Sequence, residues 1–390
     1  MKIRLVLIAT SPLFLGFLRG FVRTLKERGF DVYIICSPGE LLHQFMHTEQ
    51  VTGYGVQMPR RITPWQDLLA LVRLCLLLRR IRPHIVHAHT PKGGLLGTIS
   101  ATICRVPIRI YHIRGLPHLS ATGFKRALLR WSERIACALA HQVLCVSHSI
   151  RQVVIDERIC PAHKIKVPAS GSGQGVDAER RFNPARFTEE EKTALREQIG
   201  IPEDALVIGY VGRLVRDKGI TELAQAWNVL RAKYHNLHLL LVGDYEPQDP
   251  VPHEIKEQFH SDPRVHLTGW VNDASVYYPL MHLLVLPSYR EGFPNTPLEA
   301  SAMCLPVVAT RIPGCVDAVV DGVTGTLVPP RDAEALREAI ERYILQPDLR
   351  IQHGTAGRQR VLAEFRPEVI WRALYEQYHL LMEQRGVTGE

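Results

Sequence analysis

Short apolar runs alternate with amphipathic stretches along the first half of the chain. Each run has the length of a buried strand, and most are followed by apolar positions at helical spacing. They lie at residues 3–9, 32–36, 84–88, 108–113 and 143–146. This alternation predicts a parallel sheet flanked by helices, in which ligands bind near the carboxyl ends of the strands.

The same pattern restarts in the second half. Apolar runs lie at residues 206–211, 237–242, 265–267, 283–286 and 307–309. The Gly- and Ser-rich stretch 170–177 between the halves predicts an interdomain connection. We therefore predict two Rossmann-like domains, residues 1–175 and 176–365, which suits a chain of 390 residues.

The segment from Trp65 to Arg82 is rich in leucine and is interrupted by Arg73. It is too short and too interrupted to span a bilayer, which takes about 20 apolar residues. A helix buried in the domain is the favoured interpretation. The alternative is an interfacial helix whose Trp65 and leucines enter a leaflet while its arginines meet headgroups.

Charge is divided unevenly between the halves. Residues 1–175 contain 24 Lys and Arg against 8 Asp and Glu, and the rest of the chain contains 23 against 31. The basic half predicts an anionic partner, with nucleic acid, an anionic membrane and a lipid diphosphate all open at this point. The 8 cysteines form no Cys-x-x-Cys pair, which fits a reducing cytoplasm.

After the predicted strand 283–286, two carboxylates, Glu291 and Glu299, flank a turn with Gly292 and Pro294 and the start of a helix. The first N–H groups of a helix lack intrahelical partners, so this junction predicts an anion site. A phosphate needs no carboxylate, which suggests that the two glutamates bind sugar or ribose hydroxyls. The alternative is a strand–turn–helix with two solvated glutamates.

The turn after the first strand of the second half carries two cations, Arg213 and Lys218. Both can neutralise a diphosphate, Arg213 through paired hydrogen bonds and Lys218 as a point charge. The alternative is a turn with two exposed cations. Since no Asp-x-Asp motif and no metal-ligand spacing is present, we predict chemistry that needs no metal.

Gly-Arg-Leu followed by Lys-Gly at 212–219, together with Glu-x7-Glu at 291–299, resembles the signature of retaining glycosyltransferases of family 4. The resemblance implies a GT-B fold, in which two Rossmann-like domains face each other across a cleft. It also implies that a final helix within 366–390 crosses back to the acceptor-side domain 1–175, while 176–365 binds the nucleotide-sugar.

The resemblance also assigns roles to individual residues. Glu299 would bind the ribose, and Glu291 would contact the donor sugar. The N–H groups of Asn295 and Thr296 would face the diphosphate, and the backbone of Val271 would contact the base. Arg213 and Lys218 would stabilise the leaving nucleotide.

In the first domain, many members of the family have a histidine directly before a glycine, and it contacts the transferred sugar. Here Arg114 takes that place and His112 lies two residues earlier, so both are candidates. Alternation along the strand places them on one face. Other residues near strand ends are open to either an acceptor-binding or a structural role: His87, His89, Lys92 and His118.

The sequence Arg-Gly-Leu-Pro at 114–117 resembles a motif of enzymes that build bacterial surface polysaccharides. The resemblance implies retaining transfer of an N-acetylhexosamine-type sugar from a UDP-sugar to an undecaprenyl-diphosphate-linked acceptor. The enzyme would work on the cytoplasmic face of the inner membrane, with no cofactor, metal or nucleic acid.

Two other functions remain as alternatives. The first is a family-4 transferase with a soluble sugar or sugar-phosphate acceptor. The second is a catalytically silent protein that binds a nucleotide or polysaccharide. An NAD-dependent dehydrogenase is disfavoured because the first strand–helix turn lacks Gly-x-Gly-x-x-Gly.

Overall fold

The computed structural model describes residues 2–59 and 61–388. The chain divides into two compact units, residues 1–174 with 367–390, and residues 175–366. Each unit contains one sheet, and every strand pair within both sheets is parallel. Helices connect most successive strands, as parallel pairing requires.

The first unit has a seven-stranded sheet. Its strands are β1 Ile3–Ile8, β2 Phe30–Cys36, β3 Thr52–Gly55, β4 Ile85–His89, β5 Ile108–Ile113, β6 Gln142–Cys145 and β7 Ile165–Lys166. The spatial order is β3-β2-β1-β4-β5-β6-β7. Its helices before the connection are α1 Phe21–Glu27, α2 Glu40–Glu49, α3 Pro64–Ile81, α4 Pro91–Ile103, α5 Gly123–Leu139 and α6 His148–Asp156.

All five strands that the apolar runs predict are present in this unit, whereas β3 and β7 are not predicted. Both are edge strands of the sheet, and β3 contains two glycines and no apolar run. The apolar residues from Phe14 to Leu25 recur at helical spacing but belong to two separate elements. A 3-10 helix, Pro12–Leu18, comes first, and Gly20, at φ 75°, separates it from α1. A β-carbon at Gly20 would lie 2.5 Å from the Trp371 ring.

The second unit has a six-stranded sheet in the order β10-β9-β8-β11-β12-β13. Its strands are β8 Leu206–Val211, β9 Leu237–Val242, β10 Val265–Leu267, β11 Leu283–Leu286, β12 Val307–Thr310 and β13 Gly325–Val328. Its helices are α7 Glu189–Ile199, α8 Ile220–Lys233, α9 His253–Ser261, α10 Asn295–Ala302, α11 Cys315–Ala318, α12 Ala333–Leu345 and α13 Pro347–Glu364. The five predicted strands of this half are present.

The last helix, α14 Pro367–Arg385, belongs to the first unit. Its apolar positions Ile370, Leu374, Tyr378 and Leu381 recur at helical spacing and enter the core that β1, β2 and α1 form. The aromatic spacing in the sequence therefore reports a buried helix face. Tyr378 is fully buried against strand β4, where its hydroxyl meets His87.

Helix α3 departs from the favoured sequence interpretation. Only Ala70, Leu74, Leu78 and Ile81 of this helix are buried. The opposite side is exposed, and Trp65 retains 81% of its accessible surface. The sequence does not separate the buried face from the exposed face, because leucines occupy both.

Candidate active site

The turn that follows β8 is held tightly against neighbouring loops. Gly219, at φ 69°, ends this turn, and a β-carbon there would lie 2.0 Å from the carbonyl oxygen of Pro287. A β-carbon at Gly243 would lie 1.9 Å from the carbonyl oxygen of Gly212. Glycine is therefore required at both positions so that the ends of β8, β9 and β11 can converge.

Lys218 and Glu291 come from two of these loops and meet directly. The Lys218 Nζ donates a hydrogen bond to Glu291 Oε1, and each side chain is less than one-fifth exposed. An ammonium group has three donors, so Lys218 can hold Glu291 and still donate to a bound phosphate. The structure thus brings together two of the predicted site residues across 73 positions of sequence.

Asp217 connects the same two loops a second time. Its carboxylate accepts from Arg290 at 2.8 Å, and its carbonyl accepts from the backbone N–H of Tyr289 at 2.9 Å. The Tyr289 hydroxyl in turn donates to Glu222 of α8. These contacts fix the backbone on either side of the Lys218–Glu291 pair.

Helix α10 begins with donors that have no partner within the part of the chain that the structure describes. The cap position is Pro294, and no side chain caps the helix. The N–H groups of Asn295 and Thr296 make no hydrogen bond to described residues, and the Oδ1 atom of Asn295 is buried and unpartnered. An anion at this point would satisfy groups that the protein leaves unpaired.

Glu299 lies about one turn further along α10. Its Oε2 accepts a hydrogen bond of 2.6 Å from the hydroxyl of the fully buried Tyr278. Burial raises the pKa of Glu299, while the Tyr278 hydrogen bond and the nearby Arg181 guanidinium oppose that shift. Tyr278 fixes one carboxylate oxygen and leaves the other without a protein donor among the described residues, which suits it to accept from a ligand hydroxyl.

Arg213 does not contact the Lys218–Glu291 pair. Its guanidinium bonds Glu246 at 2.7 Å, and its carbonyl accepts from the buried Tyr210 at 2.7 Å. The side chain is 49% exposed, so its backbone is fixed while the guanidinium is reachable from solvent. Val271 lies on another loop of this unit, beside the exposed Trp270.

In the first unit, His112 and Arg114 lie on the same face, as alternation predicts. His112 is buried, and its two ring nitrogens have no hydrogen-bond partner among the residues that the structure describes. Arg114 donates to the carbonyl of Gly173 at 2.7 Å and lies 3.3 Å from the Nδ1 of His89. Burial lowers the pKa of Arg114 to about 9.

His112 belongs to a buried cluster with His87 and His89. One ring nitrogen of each lies within 4.8 Å of the others, a spacing that could suit a metal ion. Burial lowers the pKa of all three well below the usual range, and the Arg114 charge adds to that shift, so the rings are neutral.

The chemistry of the cluster does not suit a divalent cation. Arg114 has only donors, so His89 Nδ1 must accept from it, and the proton of His89 then lies on Nε2, the atom a metal would need. No carboxylate is bonded to these three rings in residues 2–59 and 61–388 to offset a cation beside Arg114.

The other sequence candidates of this unit have protein partners. Lys92 forms an ion pair of 2.7 Å with Asp67. The Nε2 of His118 lies 3.0 Å from Glu157 Oε2, and His118 is fully buried. The first contact joins α4 to α3, and the second joins the 3-10 segment Pro117–Ser120 to the end of α6, which favours the structural interpretation of Lys92 and His118.

Sequence reasoning missed the residues that orient the site. Asp217 and Glu246 are single acids in turns, and Tyr278 lies in a short 3-10 segment, Tyr278–Leu280. No local motif distinguishes Glu246 or Tyr278. Asp217 could have been suspected from the sequence, because it lies directly before Lys218.

None of the helices within residues 2–59 and 61–388 combines the length and the apolar composition that crossing a membrane requires.

Comparisons with known proteins give consistent matches along the chain. The family described as "Glycosyl transferase 4-like domain" matches residues 17–171, and "Glycosyl transferases group 1" matches residues 205–346. The capsular polysaccharide biosynthesis glycosyltransferase CapM of Staphylococcus aureus is 35% identical over 94% of both chains.

Two further proteins are similar to this chain. The UDP-Gal:alpha-D-GlcNAc-diphosphoundecaprenol alpha-1,3-galactosyltransferase of Escherichia coli is 28% identical, over 87% of this chain and 88% of its own. The structure of sucrose-phosphate synthase from Thermosynechococcus elongatus superposes with a TM-score of 0.81 at 22% identity, covering 98% of this chain and all of that one.

Proposed function

Because this chain belongs to glycosyltransferase family 4 and has the GT-B fold, we propose that it transfers a sugar from a UDP-sugar to an undecaprenyl-diphosphate-linked acceptor, with retention at the anomeric carbon. The product belongs to surface polysaccharide or lipid-linked oligosaccharide assembly. The transferred sugar is of the N-acetylhexosamine type.

The observation that carries the proposal is the meeting of Lys218, Glu291 and the open helix start in the second unit. The unpaired N–H groups of Asn295 and Thr296 and the Lys218 ammonium suit a diphosphate. Glu299, fixed by Tyr278, suits the ribose hydroxyls. Glu291 suits a hydroxyl of the donor sugar, which it positions while Lys218 holds the phosphate beside it.

In the proposed reaction the acceptor hydroxyl oxygen forms a bond to the anomeric carbon on the face that the nucleotide leaves. The bond between that carbon and the β-phosphate oxygen breaks, and its electron pair leaves with UDP. The acceptor proton passes to the departing phosphate. Lys218 and the α10 N–H groups stabilise the charge that develops there, without a metal.

Arg213 is proposed as a second cation that stabilises the leaving nucleotide. Its exposed guanidinium would release Glu246 and bind the phosphate instead. Val271 is proposed to contact the base through its backbone. In the first unit, Arg114 and His112 are the candidates that face the acceptor or the transferred sugar, with Arg114 the more accessible of the two.

Two features support a lipid-linked acceptor. The E. coli relative is named for a diphosphoundecaprenol acceptor and a UDP-Gal donor, and the S. aureus relative for capsular polysaccharide biosynthesis. The first 175 residues carry the excess of positive charge that an anionic lipid diphosphate and inner-leaflet headgroups would attract. We place the enzyme at the cytoplasmic face of the inner membrane.

A soluble sugar or sugar-phosphate acceptor is the second candidate. The similarity to sucrose-phosphate synthase supports it, since that protein is named for a sugar phosphate rather than a lipid. The two candidates differ in acceptor and share the same donor site.

A screen of UDP-sugars against prenyl-diphosphate-linked sugars and free sugar phosphates decides between them. Mass spectrometry identifies the product, and NMR of the new linkage gives its anomeric configuration. We expect a prenyl-linked product with the configuration of the donor. Transfer to sugar phosphates alone would support the second candidate, and an inverted linkage would contradict the proposed mechanism.

A further inference from the structure

Helix α3 presents a continuous apolar stripe to solvent. Trp65, Leu69, Val72 and Leu76 follow one another at intervals of four, three and four residues, which places them on one side of the helix. All four are at least half exposed, and Trp65 is 81% exposed. The buried face, Ala70 to Ile81, already packs in the core, so this stripe is additional to folding.

Helix α5 repeats the same arrangement. Phe124, Leu128, Trp131 and Ile135 have the same spacing, and Phe124 and Trp131 are 83% and 61% exposed. We name the two stripes together the α3–α5 apolar face. Large aromatic side chains this exposed are costly in water and usually mark a binding surface.

The two helices flank α4, and both pack against it. Helix α4 lies deep in the unit because it carries glycines where it crosses the sheet. A β-carbon at Gly94 would lie 2.0 Å from the Tyr111 ring, and one at Gly97 would lie 2.8 Å from Ala88. The α3–α5 apolar face therefore consists of two neighbouring helices in one layer, with the buried α4 between them.

The fully exposed charged side chains of these helices are all cationic. Arg73, Arg79 and Arg80 of α3 and Lys125 of α5 are exposed, and no ion pair joins them to a residue that the structure describes. The two acids of these helices do not offset that positive charge, because Asp67 is paired with Lys92 and Glu133 is buried. An apolar stripe bordered by unpaired cations and free of exposed carboxylates complements an anionic, amphipathic surface.

We propose that the α3–α5 apolar face docks on an anionic lipid bilayer, with Trp65, Phe124 and Trp131 entering the headgroup region and the arginines meeting lipid phosphates. The choice of the inner leaflet rests on the proposed function, whereas the docking surface itself does not. The two stripes lie parallel to the surface and do not span it. A protein partner would also meet aromatic and Arg side chains, but the one-sided charge favours lipid phosphates.

The test is co-sedimentation of the full chain with vesicles of phosphatidylcholine alone and with added phosphatidylglycerol. We expect binding to the anionic vesicles that weakens as salt rises. The double variant Trp65→Ala/Trp131→Ala should lower the partition coefficient by at least about tenfold. Arg79→Gln and Arg80→Gln should each lower it roughly fivefold, and only on anionic vesicles.

Ile351→Ala is the matched control, because Ile351 is 67% exposed on α13 in the second unit. Its partition coefficient should stay within about twofold of the wild type, since it removes exposed apolar area from a helix outside the proposed face. Thermal unfolding of each variant shows whether it is folded. The proposal would be overturned if the double variant bound anionic vesicles as strongly as the wild type, or if the wild type did not bind them at all. A solution dimer that the double variant dissociates without any vesicle binding would also overturn it.

Transfer to a short-chain, water-soluble prenyl-diphosphate acceptor separates this surface from the proposed function. The double variant should retain that transfer while losing vesicle binding. If the wild type binds anionic vesicles through this face but transfers to no prenyl acceptor, the docking surface stands and the proposed acceptor is wrong. If the wild type transfers to prenyl acceptors but binds no vesicles, the proposed acceptor stands and the docking surface is wrong.

Discussion

The two units share a parallel-sheet plan but place their polar chemistry differently. In the second unit, Lys218, Glu291 and Glu299 lie on loops or a helix start beyond the strands, and each has one fixed partner. In the first unit, His87, His89 and His112 lie within strands and are buried. The second unit thus has its candidate polar site at the strand ends, whereas the first unit exposes apolar helix faces.

The largest expected effect falls on the second unit. Lys218→Ala should lower kcat/KM on the order of 10³-fold, because it removes the cation beside the departing phosphate. Lys192→Ala is the matched control, since Lys192 forms a similar ion pair with Glu189 on the surface of α7. Initial rates at saturating and limiting donor measure both variants. An equal loss of kcat/KM in both variants would contradict a special role for Lys218 in the reaction.

A pH effect on stability tests the buried acid of the first unit. Burial raises the pKa of Glu133 to about 7, and Tyr111 donates to it at 2.7 Å. Since the folded pKa exceeds the ordinary one, its stabilisation is present at low pH and lost as pH rises from about 4.5 to 7.

Glu133→Gln should therefore be more stable than the wild type at about pH 8 by on the order of 3 kcal/mol, and about equal near pH 4.5. The amide oxygen can still accept from Tyr111. Urea unfolding at several pH values measures the difference. A difference that does not change with pH would show that Glu133 does not titrate in this range.

A smaller effect is expected at the histidine cluster. Because burial lowers the folded pKa of His112, its contribution to stability is present above the ordinary histidine value and lost on acidification. His112→Leu should reduce the loss of stability between about pH 6.5 and 5.5 by roughly 1 kcal/mol. Unfolding curves at these pH values measure it, and an unchanged slope would contradict a buried neutral imidazole.

The smallest expected effect is that of metal removal. We expect EDTA to leave the transfer rate within about twofold, because Lys218 and the α10 N–H groups supply the charge stabilisation. Rates with and without chelator, followed by readdition of Mg²⁺ or Mn²⁺, measure this. A rate that falls and returns with one of these ions would contradict metal-independent transfer.

How far the sequence predicts the molecule differs between the units for a physical reason. The proposed site residues Arg213, Lys218, Glu291 and Glu299 lie in short segments, where local motifs are enough to predict them. The partners that orient them, such as Tyr278 and Glu246, come from distant segments and depend on packing.

The exposed face of α5 shows the opposite limit. Phe124 and Trp131 have the same helical spacing as core residues, and no pattern in one sequence tells which side of an amphipathic helix meets the sheet. The sequence of helix α3 favours a buried helix for the same reason, although one side of that helix is exposed. Strand positions, by contrast, followed from the apolar runs because a parallel sheet is covered on both faces.

In the proposed division of roles, Glu299 binds the nucleotide and Glu291 binds the donor sugar. Calorimetry tests this division when UDP, or the UDP-sugar that the donor screen identifies, is titrated into Glu291→Gln and Glu299→Gln. We predict that Glu299→Gln weakens both ligands about equally, by roughly tenfold. Glu291→Gln should leave UDP affinity unchanged or tighter, since Lys218 is released, while turnover is lost. Weakening of UDP by Glu291→Gln to the same extent as by Glu299→Gln would contradict the account.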